Sequence, residues 1–474
     1  MSYASRSPSG YIQSILDSDL YKFTMQRAVH EAFPDVQVRY RFTNRGGTKF
    51  TRRMHAAVEA AVSHLSNVSL TSEERAWLEK YCPYFPPSYL DYLSSFRFKP
   101  QQQVSITFVP GGISEAGEEV GNFDIEVHGL WREAILYELA IRRQVPLMSI
   151  ISEAYFTEVD QKWDYVGQFE NAKEKGRQLF EAGCVVSEFG SRRRRTYLAH
   201  DIIMRGLIAA DKEYGSGSGI EGRGKLAGTS NVHFAQKYDI APVGTIAHEL
   251  IMGVAAFEGY EGCNGRVMDL WEKIYPDNSL SIALTDTFTT KPFFEDFVAD
   301  PERAKRWKGL RQDSGDPLTF LYAAKEVFEK IGVDPKKKVI VFSDSLDVPT
   351  CLRLKKASDE AGVGCSFGVG TNFTNDFKRV EEPVQQETPG EGPPRTDGET
   401  SKALNMVIKL YMINNDYCVK ISDELTKVRF FALRTCLSPA VSVADSSLLF
   451  PKNTGNPEAV KLVKQRFGLE DHAK

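Results

Sequence analysis

From Pro146 onward the chain repeats one local pattern: a short apolar run, a polar tip, then a helical stretch. Ser187-Glu188-Phe189-Gly190 leads into a helix that reaches Ala210. Residues 282–284 end at Thr285-Asp286, and 307–310 run into Arg311-Gln312-Asp313-Ser314-Gly315-Asp316, with a helix over 318–331 beyond. Residues 338–342 end at Ser343-Asp344-Ser345-Leu346-Asp347 before a helix over 349–361, and 365–367 end at Gly368-Val369-Gly370-Thr371. Apolar strands this short, each returning through a helix, bury both faces only in a parallel sheet. Polar residues at one strand end after another favour an α/β barrel (TIM-like, irregular) over a doubly wound sheet, because a barrel gathers its site at the carboxyl face.

The flanks have another texture. Residues 36–43 (VQVRYRFT) alternate as a strand does, 21–33 have helical spacing, and 104–109 and 123–128 suggest paired strands. Residues 131–142 are amphipathic. Strand-like runs return at 405–410, 417–421 and 429–433. The expected organisation is therefore a mixed α+β domain over 1–145, completed by 404–474, around a barrel over 146–403. Residues 215–225, rich in Gly and Ser, and 381–402, rich in Pro and acids, read as loop insertions, either over the site or decorative.

Composition narrows the function. With 59 basic and 63 acidic residues the formal charge is −4 over 474 residues, which argues against a phosphate-neutralising nucleic-acid binder or a polybasic membrane-surface protein. No stretch approaches the ~18 apolar residues of a membrane span, and residues 1–11 lack the apolar core of a signal peptide. The seven cysteines are scattered, without a C-x-x-C pair, so reduced thiols in a cytoplasmic or nuclear protein are expected.

Five constellations carry possible chemistry. Arg311 offers a planar fork for a carboxylate or phosphate, and Asp313 suits ribose hydroxyls or a metal-bound diphosphate. A plain turn with Asp316 as helix cap and Pro317 as first helical residue explains 314–317 in part, but not Arg311 and Asp313. Gly368-Val369-Gly370-Thr371 allows backbone N–H groups and a hydroxyl to approach a phosphate; a tight turn is the rival. His248, in Gly244-Thr245-Ile246-Ala247-His248-Glu249, is a base, a phosphoryl-accepting nucleophile or a structural histidine, and His233 is a local rival of similar quality. In Arg192-Arg193-Arg194-Arg195 neighbours point about 100° apart. Arg192 and Arg194 are the anion candidates; Arg193 and Arg195 are expected to be solvated or ion-paired. Asp19 is expected to cap the helix it precedes, and Tyr21 offers a ring that can stack on an aromatic ligand. There is no Walker motif, and the one G-x-S-x-G, around Ser366, has only His472 after it, so a nucleophile elbow is not expected.

In order along the chain, LDSDLYKFTMQ, YRFTNR, EFGSRRRR, GTSNVHFAQKYDIAPVGTIAHE, ALTDTF, GLRQDSGDP, VFSDSLD, SFGVGTNFT and LNMVIKL resemble the nicotinate phosphoribosyltransferase family over most of 16–410. The resemblance implies a type II phosphoribosyltransferase fold: an α/β barrel, a mixed domain from both chain ends, and active sites shared in a homodimer. It implies that nicotinate and 5-phosphoribosyl 1-diphosphate give nicotinate mononucleotide and diphosphate, the first step of NAD salvage from nicotinate. It further implies coupling to ATP hydrolysis through a phosphohistidine, with Mg²⁺ accompanying the diphosphate or ATP.

Carried over by position, His248 matches the phosphorylated histidine. Thr245 and Arg311 match nicotinate contacts, with Arg311 on the ring carboxylate. Tyr21 and Phe189 match the aromatic pair around the pyridine, Tyr21 reaching in from the partner subunit. Thr371, beside Gly370, matches a contact to the 5-phosphate. Arg192, Asp286 and Asp313 match positions near ribose and diphosphate, with Asp313 as the catalytic carboxylate. The rivals are a nicotinamide enzyme, disfavoured by the motif set and by Leu20 where a serine is expected in that relative, a non-catalytic protein on the same barrel, and a nucleic-acid role for the arginine run.

Overall fold

The alternation in 36–43 does make a strand, and a sheet grows from it. The computed structural model describes residues 14–137, 150–152, 154–156, 164–378, 400–423 and 453–469. Its strands are β1 (Gln37–Asn44), β2 (Phe50–Thr51), β3 (Val104–Ile113), β4 (Glu119–Leu130), β5 (Val185–Glu188), β6 (Lys225–Thr229), β7 (Ile282–Leu284), β8 (Gly309–Gln312), β9 (Val339–Phe342), β10 (Gly364–Val369), β11 (Met406–Ile413) and β12 (Asp416–Tyr417). They form two sheets.

The first is antiparallel and joins the two ends of the chain. Its order is β12-β11-β1-β4-β2, with β3 also on β4. In β1, Val38, Tyr40 and Phe42 are buried and the residues between them exposed, as in a sheet with one solvated face. β11 pairs with β1 from Val38↔Ile413 to Asn44↔Met406, so a segment from the end of the chain is built into the sheet of its beginning. The strand-like run 429–433 lies outside the described residues.

The second sheet is wholly parallel, in the order β6-β5-β10-β9-β8-β7. Its edge strands do not pair directly. An extended segment, residues 241–245, lies between them. Thr229 of β6 donates its N–H to Ala241 and accepts from Val243 N–H, while the Thr245 hydroxyl donates to the Ile282 carbonyl of β7 at 3.3 Å. The result is an irregular α/β barrel. Helices Tyr165–Glu181, Tyr197–Tyr214, Pro317–Lys330 and Val348–Ala361 follow the expected pattern around it, and polar residues cap several of them: Thr196, Asp316 and Asp347 each accept an N–H from three residues on.

Several local expectations are corrected. The loop over 215–224 joins helix Tyr197–Tyr214 to the amino end of β6, and Lys225 is already in the strand. It therefore lies on the face opposite the carboxyl ends and does not cover them. The second insertion, 381–402, lies outside the described residues except at its end, where Thr400 bridges Lys378.

Arg194 is not poised for a ligand. It forms a buried, bidentate pair with Asp17, at 2.9 and 2.8 Å. Losing one partner of such a pair strands a buried charge. Arg195 is not solvated either: it is fully buried, with its guanidinium 4.3 Å from the Phe156 ring centroid and 5.6 Å from that of Phe377. Guanidinium groups hold weakly bound water and stack well on rings. Asp19 precedes helix Leu20–Ala32 without a side-chain cap; its Oδ1 accepts from Ser191 Oγ at 3.4 Å instead.

Candidate active site

At the carboxyl ends of β7, β8 and β9 the polar tips converge. β7 delivers Asp286 and Thr287, β8 delivers Arg311 and Asp313, and β9 delivers Ser343. His248, the first residue of helix His248–Glu258, enters from beside the closing segment and is 2% exposed. Its Nδ1 lies 2.9 Å from Thr287 Oγ1 and its Nε2 3.3 Å from Asp313 Oδ2. Ser343 Oγ donates to Asp313 Oδ1 at 2.8 Å, and Arg311 reaches both, Nη2 to Asp313 Oδ1 at 3.1 Å and Nε to Ser343 Oγ at 2.9 Å.

One member was missed from the sequence. Lys420, just past β12, places Nζ 3.0 Å from His248 Nε2 and 3.4 Å from Asp286 Oδ2. The only signal was a cation inside the apolar run Cys418-Val419-Lys420-Ile421, which reads simply as a strand.

The electrostatics follow from burial and this lysine. Burial first, and the Lys420 ammonium second, push the His248 pKa down to about 4, against the pull of Asp286 and Asp313. The ring is therefore neutral near pH 7. Two partners compete at Nε2: Lys420, 3.0 Å away, can only donate, and Asp313 Oδ2, 3.3 Å away, can only accept; the shorter contact favours Nε2 as acceptor, with the proton on Nδ1 toward Thr287. For Asp286 burial opposes the charge, but Lys420 and then His248 outweigh it and hold the carboxyl below its usual range.

Asp423 stands behind this cluster. Its N–H donates to Ser314 Oγ at 3.2 Å and its Oδ1 accepts from Thr290 N–H at 2.8 Å. Gly315 has φ +80°, and a Cβ there would come 3.0 Å from Asp423 Cβ, so the turn requires glycine twice over. Burial, then Asp286, raises the Asp423 pKa from 3.8 to about 6. A raised folded-state pKa contributes stability that is full below the unfolded value and lost as pH rises through about 6. Asp423→Asn keeps an acceptor and cannot ionise. Relative to wild type, its thermal midpoint should rise between about pH 4 and pH 7, by an amount worth up to about 3 kcal/mol; a difference independent of pH contradicts this.

The other sequence candidates border the cluster unevenly. Phe189, just past β5, lies with its ring centroid 5.8 Å from the Arg311 guanidinium, and its N–H donates to Val369 O. A Cβ at Gly368 would fall 2.3 Å from the Phe189 ring. That glycine lies inside β10 and makes room for the ring, not for a phosphate. Gly370 follows β10 and is buried, and Thr371 beside it is exposed. Arg192 is 4% exposed in the 3-10 turn Ser191–Arg193. Tyr21 is 6% exposed in its own chain, its backbone against Gly244, and Thr24 Oγ1 donates to Thr245 O at 2.6 Å. His233 is apart from all of these, with Nε2 2.9 Å from the Tyr197 hydroxyl. Ser366 is in the middle of β10, paired with Val341, which excludes a nucleophile elbow.

A closed parallel barrel with carboxylates, an arginine and a neutral buried histidine at its strand ends, flanked by a sheet from both chain termini, has the architecture of the type II phosphoribosyltransferases. The profile of the nicotinate phosphoribosyltransferase (NAPRTase) family matches residues 184–471, and that of its N-terminal domain matches 16–152. The nicotinate phosphoribosyltransferase of Methanosarcina mazei is 40% identical over 435 residues, covering 88% of this chain and 94% of the relative. That of Saccharomyces cerevisiae is 37% identical over 473 residues, covering 98% and 96%. The crystal structure of the enzyme so named from Porphyromonas gingivalis superposes with a TM-score of 0.74 at 32% identity, over 96% of this chain and all of that one. The chain belongs to the nicotinate phosphoribosyltransferase family, and it is an enzyme. Among the described residues no helix is long and apolar enough to cross a membrane.

Proposed function

We propose that this nicotinate phosphoribosyltransferase couples transfer of the phosphoribosyl group from 5-phosphoribosyl 1-diphosphate to the hydrolysis of ATP, through phosphorylation of His248 at Nε2. The observation that carries the reading is the place of that atom: a buried ring nitrogen 3.3 Å from Asp313, 3.8 Å from Asp286 and 3.0 Å from the Lys420 ammonium, where burial disfavours the charged ring. A solvated histidine is partly protonated near neutral pH; this one keeps its lone pair.

The remaining roles follow from chemistry and position. Nicotinate stacks between Phe189 and Tyr21, and the Arg311 guanidinium meets its carboxylate. Arg311 is already fixed by Ser343 and Asp313 and costs little to orient. Thr245 supplies a further polar contact, and Gly370 with Thr371 receives the 5-phosphate. As the bond from C1 to diphosphate breaks, positive charge grows on the ribose, and Asp313 stabilises it from a site 1% exposed. Arg192 offsets the leaving diphosphate.

Magnesium fits the donor set. Asp286 and Asp313 present hard oxygen ligands, they and His248 place ligand atoms within 4.8 Å of one another, and Asp286 Oδ1 is buried without a hydrogen-bond partner. Bound there, the ion would neutralise charge on the diphosphate. The working form we propose is a homodimer in which Tyr21 of one subunit completes the site of the other, acting in the cytoplasm or nucleus.

The test is nicotinate mononucleotide synthesis by the purified enzyme with and without ATP, with ADP release followed in parallel. Faster synthesis with ATP, accompanied by ADP, supports the coupling; equal rates without ADP release contradict it.

A further inference from the structure

We propose that Lys420 is a catalytic residue of the phosphoryl-transfer step: its ammonium, in contact with His248 Nε2, shields the phosphoryl group arriving there from Asp286 and Asp313. The proposal rests on the reading of His248 as the phosphorylated residue.

The fold makes a deliberate placement of this side chain. His248 and Lys420 are 172 positions apart, and the lysine backbone is held on both sides. Lys420 exchanges two hydrogen bonds with Thr454, each 2.9 Å. Its neighbour Ile421 donates its N–H to Thr287 O at 2.8 Å and accepts from Thr289 N–H at 2.9 Å. Those bonds tie the lysine to the same loop that carries Asp286 and Thr287. The Lys420 side chain is 3% exposed.

An ordinary structural lysine would simply pair with Asp286. Here the contact to the ring nitrogen, 3.0 Å, is shorter than the contact to the carboxylate, 3.4 Å. An ammonium has donors only, and here it is aimed at the atom that would receive the phosphoryl group. It also answers a difficulty the site would otherwise have. A phosphoryl group on Nε2 adds negative charge where two carboxylates already stand, in a setting of weak screening. Arg311 is committed to Asp313 and Ser343, which leaves Lys420 as the described cation in contact with the nitrogen itself.

In the step, the Nε2–P bond forms as the bond from the γ-phosphorus to the ADP oxygen breaks, and its electron pair leaves with ADP. The ring proton stays on Nδ1 against Thr287. Lys420 keeps its proton throughout and passes from the nitrogen to the new phosphoryl oxygens.

Full-length wild type, Lys420→Met, Lys420→Gln, Lys420→Arg and His248→Asn are each given Mg²⁺ and ATP labelled on the γ-phosphate, and acid-labile label on the protein is followed in time. Wild type should label and His248→Asn should not. If wild type carries no label, the phosphohistidine reading falls and this proposal with it. Where wild type labels, Lys420→Met should label at least about a hundredfold more slowly, with Lys420→Arg well above it. Equal rates for wild type and Lys420→Met overturn the role of Lys420 while leaving His248 untouched. Should thermal unfolding show Lys420→Met to be misfolded, the comparison of Lys420→Gln with Lys420→Arg decides: Gln keeps a donor without charge, and labelling as fast as with Arg overturns the proposal.

Discussion

Asp313→Asn is expected to lower kcat for nicotinate mononucleotide synthesis by about 10²–10³, the scale set by removing one preorganised electrostatic group from a transition state. The substitution is nearly isosteric, and Asn can still accept from Ser343 and Arg311, which fix the carboxylate through its Oδ1. What it removes is the negative charge that, on the proposed mechanism, faces the ribose as it becomes positive. Because that charge exists in the transition state and not in the bound substrate, the loss should fall on kcat more than on KM. The measurement is steady-state kinetics with saturating ATP. A decrease below about tenfold, or one confined to KM, would remove Asp313 from the chemical step and reduce it to an anchor for Arg311.

The second large effect is expected at Arg311, and it should appear as selectivity. A charge-assisted contact to a carboxylate contributes about 1.5–3 kcal/mol, so Arg311→Ala should reduce kcat/KM for nicotinate by roughly a hundredfold at the upper end. Nicotinamide has no carboxylate to lose. Its kcat/KM should change far less, so the ratio of the two substrates should collapse in the variant. Some loss will be common to both, because Arg311 also braces Asp313 at 3.1 Å. The ratio separates the two functions: an equal fall for both substrates would assign Arg311 to Asp313 alone.

The barrel was legible in the sequence because its physics is local. Short apolar runs, their polar tips and the helical stretches between them have to recur for a parallel sheet to bury both faces, and β7, β8, β9 and β10 lie where those runs lie. The tips carried a second layer of meaning that spacing alone could not divide. After β8, Asp313 faces the site while Asp316 caps the next helix through Thr319 N–H; after β9, Ser343 faces the site while Asp347 caps through Thr350 N–H. Turn and cap chemistry picked out Asp316 correctly, and what it left unexplained, Arg311 and Asp313, is what the structure gathers beside His248.

Less local features stayed hidden. In the arginine run helical geometry could count how many side chains face one way, but not that Arg194 would find Asp17, 177 positions earlier. Nor could it show that Arg195 would lie over Phe156 and Phe377. Gly368 looked like part of a phosphate turn, because a glycine that admits a ring and one that admits an anion are identical in sequence. Lys420 was invisible for the same reason. Its placement depends on the return of the end of the chain to the loop after β7, and the apolar run around it recorded only a strand-like path. Gly-Thr-Ile-Ala-His248, by contrast, separated His248 from His233 through resemblance, and the geometry gives the two histidines different company: carboxylates and an ammonium around one, a tyrosine hydroxyl beside the other.

The most direct test of the account is nicotinate mononucleotide synthesis by His248→Asn, with and without ATP, beside wild type. Wild type is expected to run faster with ATP and to release ADP as it turns over, whereas the variant should show one rate in both conditions and release no ADP. Full ATP-coupled turnover by His248→Asn would contradict the account at its centre.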